Sequence, residues 1–177
     1  TFLLQNKDVY LDMLTDSGVN AMSDLQFAAM FQADDSYAGS ATFLRVKDAV
    51  KEVFGTDNVL PVHQGRAAEN ILAETYVTEG KVALMNFHFT TTKAHVTRCG
   101  GTVEELIDPK GLLAQSDDPF KGDFNLANLR SRINKIGAEN VAFVRVEAGT
   151  NLIGGQPVSL ENMLAVTDIC HDAGVMS

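Results

Sequence analysis

An α/β fold with a mostly parallel sheet and helices on both faces follows from three features of the chain. Short apolar runs alternate with amphipathic stretches of helical period from residue 59 onward. Those runs are apolar throughout, as in K-V-A-L-M-N-F at Lys81–Phe87 and V-A-F-V-R-V at Val141–Val146. Strands covered on both faces read that way, whereas half-exposed strands alternate. Helices between successive strands imply right-handed crossovers and parallel pairing.

The elements follow in order. Residues 1–14 read as a short strand or packing arm, with Phe2, Leu3 and Leu4 followed by the alternation Val9, Leu11, Met13. Thr15-Asp16-Ser17-Gly18 is a turn of residues that bond back to their own backbone. Ser23 or Asp24 caps a helix over Leu25–Phe31. A polar loop, Asp34–Ser40, carries the aromatic Tyr37. Ser40 caps a second helix, with Phe43, Val46, Ala49, Val50 and Val53 at helical spacing and Gly55 ending it.

From there the alternation predicts a strand at Val59-Leu60, a helix over Arg66–Val77 and a strand over Lys81–Phe87. A helix over Thr90–Arg98 stops at Gly100-Gly101, and Thr102–Ile107 is a strand. Asp108–Gly122 is a long loop, and Asp123 caps a helix over Phe124–Ile136. Val141–Val146 is a strand and Gly149–Val158 a glycine-rich loop. Ser159 caps the last helix, Leu160–Ala173, and Val175-Met176 opens another strand. Two parts are expected: an arm and interface segment over residues 1–40, and the first part of a larger domain over 41–177.

Composition narrows the function. The 177 residues are 45% hydrophobic and 21% charged, which fits one globular domain with a sizeable core. A net charge of −9 repels nucleic acid, and no basic patch offsets it. No apolar run approaches the roughly 20 residues of a membrane span. The opening Thr1-Phe2-Leu3-Leu4-Gln5 has no initiator Met and no basic leader, so neither a signal peptide nor a natural start at Thr1 is expected. Cys99 and Cys170 are isolated and read as reduced thiols of a cytoplasmic protein. The histidines show no zinc-ligand spacing.

In open parallel sheets, ligands sit beyond the carboxyl ends of the strands. Three polar loops fall there: His63-Gln64-Gly65-Arg66, His88-Phe89-Thr90-Thr91-Thr92, and Thr150–Gln156. Together they offer an arginine, a ring, hydroxyls and an amide, which suit an anionic, planar, aromatic ligand. Arg66, with the Gly65 and Arg66 amides at a helix start, fits a phosphate. Phe89 fits a ring stack, worth about 0.5–1.5 kcal/mol beyond its buried area; the alternative for it is a core position. Asn151 fits a hydrogen-bond donor to a ring oxygen; the alternative for it is a turn residue beside Gly154-Gly155.

Five ordered motifs carry a closer likeness: Leu14–Gly18, Asp35–Ser40, Pro61–Arg66, Phe89–Thr92 and Asn151–Ser159. Over essentially its whole length the chain resembles the β-eliminating lyases, the tyrosine phenol-lyase and tryptophanase family. Asn20–Asp24 and Phe120–Asp123 bring it closer to the tyrosine phenol-lyase branch. The resemblance implies the large domain of the aspartate-aminotransferase-like (fold type I) fold, and the cofactor pyridoxal 5′-phosphate. It implies that Gln64, Gly65 and Arg66 bind the cofactor phosphate, Phe89 stacks on its ring and Asn151 bonds its phenolic oxygen. Thr15, Arg66 and Asn151 would contribute to substrate binding, with Thr90 near the reacting side chain. Tyr37 would act in a neighbouring subunit's site, protonating the leaving group.

A monovalent cation, K+, would be held by the Gly18 carbonyl and by Asp35, where the family has a glutamate one methylene longer. The partners implied are an amino-acid substrate, the remaining C-terminal part of the enzyme and further copies in a dimer of dimers. In this fold the Schiff-base lysine and the aspartate facing the pyridine nitrogen follow the strand that begins at Val175. The chain is therefore expected to be a fragment, inactive alone, of an enzyme that converts tyrosine or tryptophan to phenol or indole, pyruvate and ammonium. His88 and Glu147–Thr150 depart from the family pattern, leaving a divergent lyase for another β-substituted amino acid as an alternative. A non-catalytic interaction subunit is the other alternative.

Overall fold

The computed structural model describes residues 3–11 and 22–177. Two compact units divide the chain, Thr1–Pro61 and Val62–Ser177.

In the first unit, α1 (Asp24–Phe31) opens with a capping box. Ser23 Oγ accepts from the Gln26 amide at 3.1 Å, and the Gln26 side chain accepts from the Ser23 amide at 2.8 Å. Ser40 caps α2 (Ala41–Phe54), and Gly55 ends it in the left-handed region at φ 73°. Residues 3–11 contain a 3-10 turn at Asn6–Asp8, not a strand, because the Asp8 amide turns back to the Gln5 carbonyl at 2.8 Å. The strand expected at Val59-Leu60 is also absent. Two apolar residues before a proline have no ladder partner among the described residues, and apolarity alone does not make a strand.

The second unit is the α/β layer the sequence predicts. It runs α3 (Gly65–Tyr76), β1 (Val82–Met85), α4 (Thr90–Arg98), β2 (Thr102–Glu105), α5 (Leu126–Ile136), β3 (Val141–Arg145), β4 (Gly149–Thr150), β5 (Gln156–Pro157) and α6 (Leu160–Ala173). The main sheet has the order β2-β1-β3, all parallel. Alternation along the central β1 divides the core. Leu84 packs with Leu129, Ile133, Val166, Ile169 and Cys170 of α5 and α6. Ala83 and Met85 pack with Ala73 of α3, Val77 just beyond it and Val96 of α4. Helices thus cover both faces.

Three details depart from the expected reading. The β2 edge strand, T-V-E-E, is not apolar throughout; Thr102 and Glu105 are exposed. A register shift makes Ala142 the extra residue of a bulge, so Ala142 and Phe143 both face α3 and α4. Asn125, not Asp123, caps α5, which starts later than expected. The reason is that the Phe124 backbone is engaged by Asn162: its amide donates to Oδ1 at 2.9 Å and its carbonyl accepts from Nδ2 at 3.0 Å. Asp123 instead accepts from the Ser159 amide at 2.7 Å, fixing the start of α6.

Val175-Met176 forms no assigned strand, but the Val144 amide donates to the Met176 carbonyl at 2.8 Å, which sets that segment beside β3. No helix among the described residues is long and apolar enough to cross a membrane.

Candidate functional site

Two helix starts differ from the rest. A Ser or Asn side chain caps α1, α2, α5 and α6. No side chain caps α3 or α4. These two uncapped starts carry Gln64, Gly65, Arg66, Phe89 and Thr90. Gln64 is the N-cap of α3 with extended backbone, Gly65 and Arg66 are its first residues, and all three are exposed. A Cβ built on Gly65 meets nothing within 4 Å, so the approach to the first amides is open. Those amides have no acceptor within their own helix and carry partial positive charge. With Arg66 beside them, the turn fits a phosphate group.

Phe89 is the N-cap of α4, half-buried and absent from both core clusters, so its ring is not core filling. Thr90 follows as the first residue of α4, exposed. Asn151 opens a 3-10 turn between β4 and β5, exposed, with its carbonyl accepting from the Gly154 amide at 3.1 Å. It is thus also a turn residue, the other reading open for it.

Two side chains that the sequence reading passed over join these loops. Glu69 of α3 accepts from the Thr91 and Thr92 hydroxyls of α4, tying the helix that starts at Gly65 to the loop of Phe89. Asn86, fully buried at the end of β1, bonds the backbones of Gly122 and Glu147, tying that loop to the one leading to Asn151. A polar residue inside an apolar run was the visible signal for Asn86. Arg145, likewise set in an apolar strand, lies 2.5 Å from Glu147 and 3.8 Å from Glu69. The buried Arg145 Nη1 and Glu147 Oε2 atoms have no well-aligned hydrogen bond, so their partnership is a close ion pair. His88, stacked on Phe87 at 5.5 Å between ring centroids, contacts Glu105 of β2.

A cavity of about 620 Å3 lies between Leu72, Tyr76, Phe143 and Met163 and reaches Glu69, Thr92 and Arg145. None of the predicted site residues lines it. In the first unit, Tyr37 and Asp35 are exposed in the loop between α1 and α2. Thr15 and Gly18 lie outside the described residues. Among the described residues no cluster of three His, Cys, Asp or Glu could hold a metal ion.

Residues 12–176 match the family model of the beta-eliminating lyases. The chain belongs to the β-eliminating lyase family. The chain is 45% identical to a tyrosine phenol-lyase of Fusobacterium nucleatum over 175 residues, which are 99% of this chain and 38% of that protein. A tyrosine phenol-lyase of Clostridium tetani is 44% identical and one of Symbiobacterium thermophilum 40%, with the same coverage. The chain therefore spans about 38% of the length of these relatives.

Solved structures show the fold. A DegT/DnrJ/EryC1/StrS aminotransferase from Brucella abortus superposes with a TM-score of 0.50 at 15% identity, covering 85% of this chain and 36% of that one. Bna3p of Saccharomyces cerevisiae gives 0.50 at 14% identity, covering 77% and 33%. This β-eliminating lyase chain thus has the aspartate-aminotransferase-like fold the sequence predicts.

Proposed function

We propose that this chain is part of a pyridoxal-phosphate-dependent carbon–carbon lyase that cleaves an aromatic amino acid, tyrosine first, into phenol, pyruvate and ammonium. The observation that carries the reading is the pair of uncapped helix starts, one bearing Gly65 and Arg66 and the other Phe89, in a chain of the β-eliminating lyase family. When bound, the cofactor supplies the electron sink that lets an α-proton leave.

The chain's own residues would bind and orient. The α3 amides and Arg66 hold the phosphate, with Gln64 beside them. Phe89 stacks on the ring, and Asn151 donates to its phenolic oxygen. Thr15, with Arg66 and Asn151, binds substrate, and Thr90 lies beside its reacting side chain. Tyr37 carries a proton to the leaving group in the site of a neighbouring copy. Residues 1–40 form the arm that reaches that copy in a dimer of dimers, and 41–177 begin the cofactor domain. Gly18 and Asp35 contribute to a K+ site. The enzyme works in the cytoplasm, and its remaining part supplies the lysine that holds the cofactor covalently.

The test uses the complete enzyme that contains this chain. Pyridoxal phosphate should bind with new visible absorbance, and Arg66→Ala should weaken binding by about tenfold or more, as loss of a charged hydrogen bond does. Assays with tyrosine, tryptophan and S-alkylcysteines then identify the substrate. Unchanged affinity in Arg66→Ala would refute the phosphate assignment, and turnover of S-alkylcysteines alone would replace the aromatic substrate.

A further inference from the structure

Glu69 lies on α3 three positions after Arg66, so the two residues share a helix face. Its side chain is 16% exposed. Its carboxylate leaves its own helix and reaches the first turn of α4. Thr91 Oγ1 donates to Oε2 at 2.5 Å, and Thr92 Oγ1 donates to Oε1. Thr92 is only 4% exposed. The Arg145 guanidinium stands 3.8 Å from Oε1 and faces Glu147 on its other side.

The geometry has a consequence for both helix starts. Threonine hydroxyls near a helix start often turn back to satisfy backbone amides. Here Thr91 and Thr92 direct theirs to Glu69, and α4 begins uncapped at Phe89. One carboxylate gripping two consecutive residues resists both sliding and rotation of α4 against α3. Arg145 supplies opposite charge in a partly desolvated place, where such a pair is screened less than at the surface.

We propose that Glu69 is a positioning residue: acting through Thr91 and Thr92, it fixes the separation between the phosphate turn Gln64–Arg66 and the ring face of Phe89. The inference rests on the cofactor reading above. A phosphate and a pyridine ring are two ends of one small molecule, so the turn that grips the first and the ring that stacks on the second need a set distance. Arg98 also joins α4 to Asn70 and Glu74 of α3, but at the far end of α4. Glu69 spans the two helices that carry them.

The experiment compares Glu69→Gln, Thr91→Val/Thr92→Val and the combined triple variant in the complete enzyme. Equilibrium dialysis of the apoenzyme gives affinities for pyridoxal phosphate and for inorganic phosphate, and circular dichroism of the bound cofactor reports ring orientation. Glu69→Gln should weaken pyridoxal phosphate about tenfold, leave inorganic phosphate nearly unchanged and alter the cofactor's dichroism. The double threonine variant should match it, and the triple variant should lose no more than either.

Wild-type affinity and dichroism in Glu69→Gln would overturn the proposal. So would equal weakening of inorganic phosphate, or additive losses in the triple variant. Should Glu69→Gln fail to fold, Thr91→Val alone, at a half-buried site, carries the same comparison. Arg66→Ala is run in parallel. If it leaves pyridoxal phosphate affinity intact, the cofactor reading itself fails; if it weakens binding and Glu69→Gln does not, only the positioning role falls.

Discussion

Asn86 and Glu147 bond to each other in both directions. Asn86 Nδ2 donates to the Glu147 carbonyl at 3.0 Å, and the Glu147 amide donates to Asn86 Oδ1 at 2.8 Å. The same Nδ2 donates to the Gly122 carbonyl at 2.8 Å. Beyond the strand ends the sheet ladder no longer satisfies the backbone, yet these groups are buried at Gly122 and half-buried at Glu147. A single primary amide, 0% exposed, takes over that task for the segments that follow β1, β2 and β3.

Truncating Asn86 should therefore be costly. Asn86→Ala leaves two carbonyls and an amide without their buried or half-buried partner, for an expected loss of about 2–4 kcal/mol. Asn86→Asp should cost more, because it sets a carboxylate against two carbonyl oxygens. Denaturant midpoints of the complete enzyme check both; a loss below about 1 kcal/mol for Asn86→Ala would contradict the role.

Gly122 should be sensitive to alanine and Gly65 tolerant of it. A Cβ on Gly122 would stand 2.7 Å from the Gln156 carbonyl oxygen and 2.8 Å from that of Pro157. Both are backbone atoms, and the Gly122 amide already bonds Pro157 at 2.9 Å. Gly122→Ala should destabilise by about 1–3 kcal/mol. Gly65→Ala meets open space and should leave thermal stability within about 0.5 kcal/mol. Thermal unfolding of the two variants reads the difference.

Asp34 makes the start of α2 sensitive to acid. Ser40 Oγ donates to its carboxylate at 2.6 Å, the Ala41 amide at 2.8 Å and the Thr42 amide at 3.1 Å. These bonds, that from Ser40 foremost, hold its carboxyl well below the ordinary value of 3.8. A depressed folded value stabilises fully above the unfolded one and is lost as pH falls through the folded one. Protection of the Ala41 and Thr42 amides against hydrogen exchange should thus fall progressively as pH drops below about 4. Asp34→Asn should abolish that pH dependence; an unchanged profile would contradict the assignment.

The two cysteines should differ in reactivity. Cys170 is fully buried between α6 and the sheet, and burial pushes its thiol up to about 11. Cys99 is half-buried at the end of α4. Alkylation at about pH 8 followed by peptide mass spectrometry should mark Cys99 long before Cys170. Equal rates would show that the α6 layer opens readily.

The fold was readable where local signals and burial agree. Helix limits held where a capping side chain met a terminating glycine, as in Ser40 with Gly55 and Ser159 with Gly174. Reading failed where another segment claimed the backbone. Phe124 had a helix-like sequence but is held by Asn162, 38 positions away. Val59-Leu60 was apolar but had no partner strand among the described residues.

The same division runs through the site. Glycine, arginine, a ring and an amide in polar loops could be read directly from the chain, because each residue type carries its chemistry locally. The family followed from the order of those loops. Which side chains hold the loops together could not be read that way. Glu69 looked like any acidic residue of a surface helix, and Asn86 and Arg145 like interruptions of apolar strands. Their partners are 22, 61 and 76 residues away, counting from Glu69 to Thr91, Asn86 to Glu147 and Arg145 to Glu69. Only packing helices against both faces of the sheet brings such distant groups within hydrogen-bonding or ion-pair reach, and their buried polar atoms then have no other place to be satisfied.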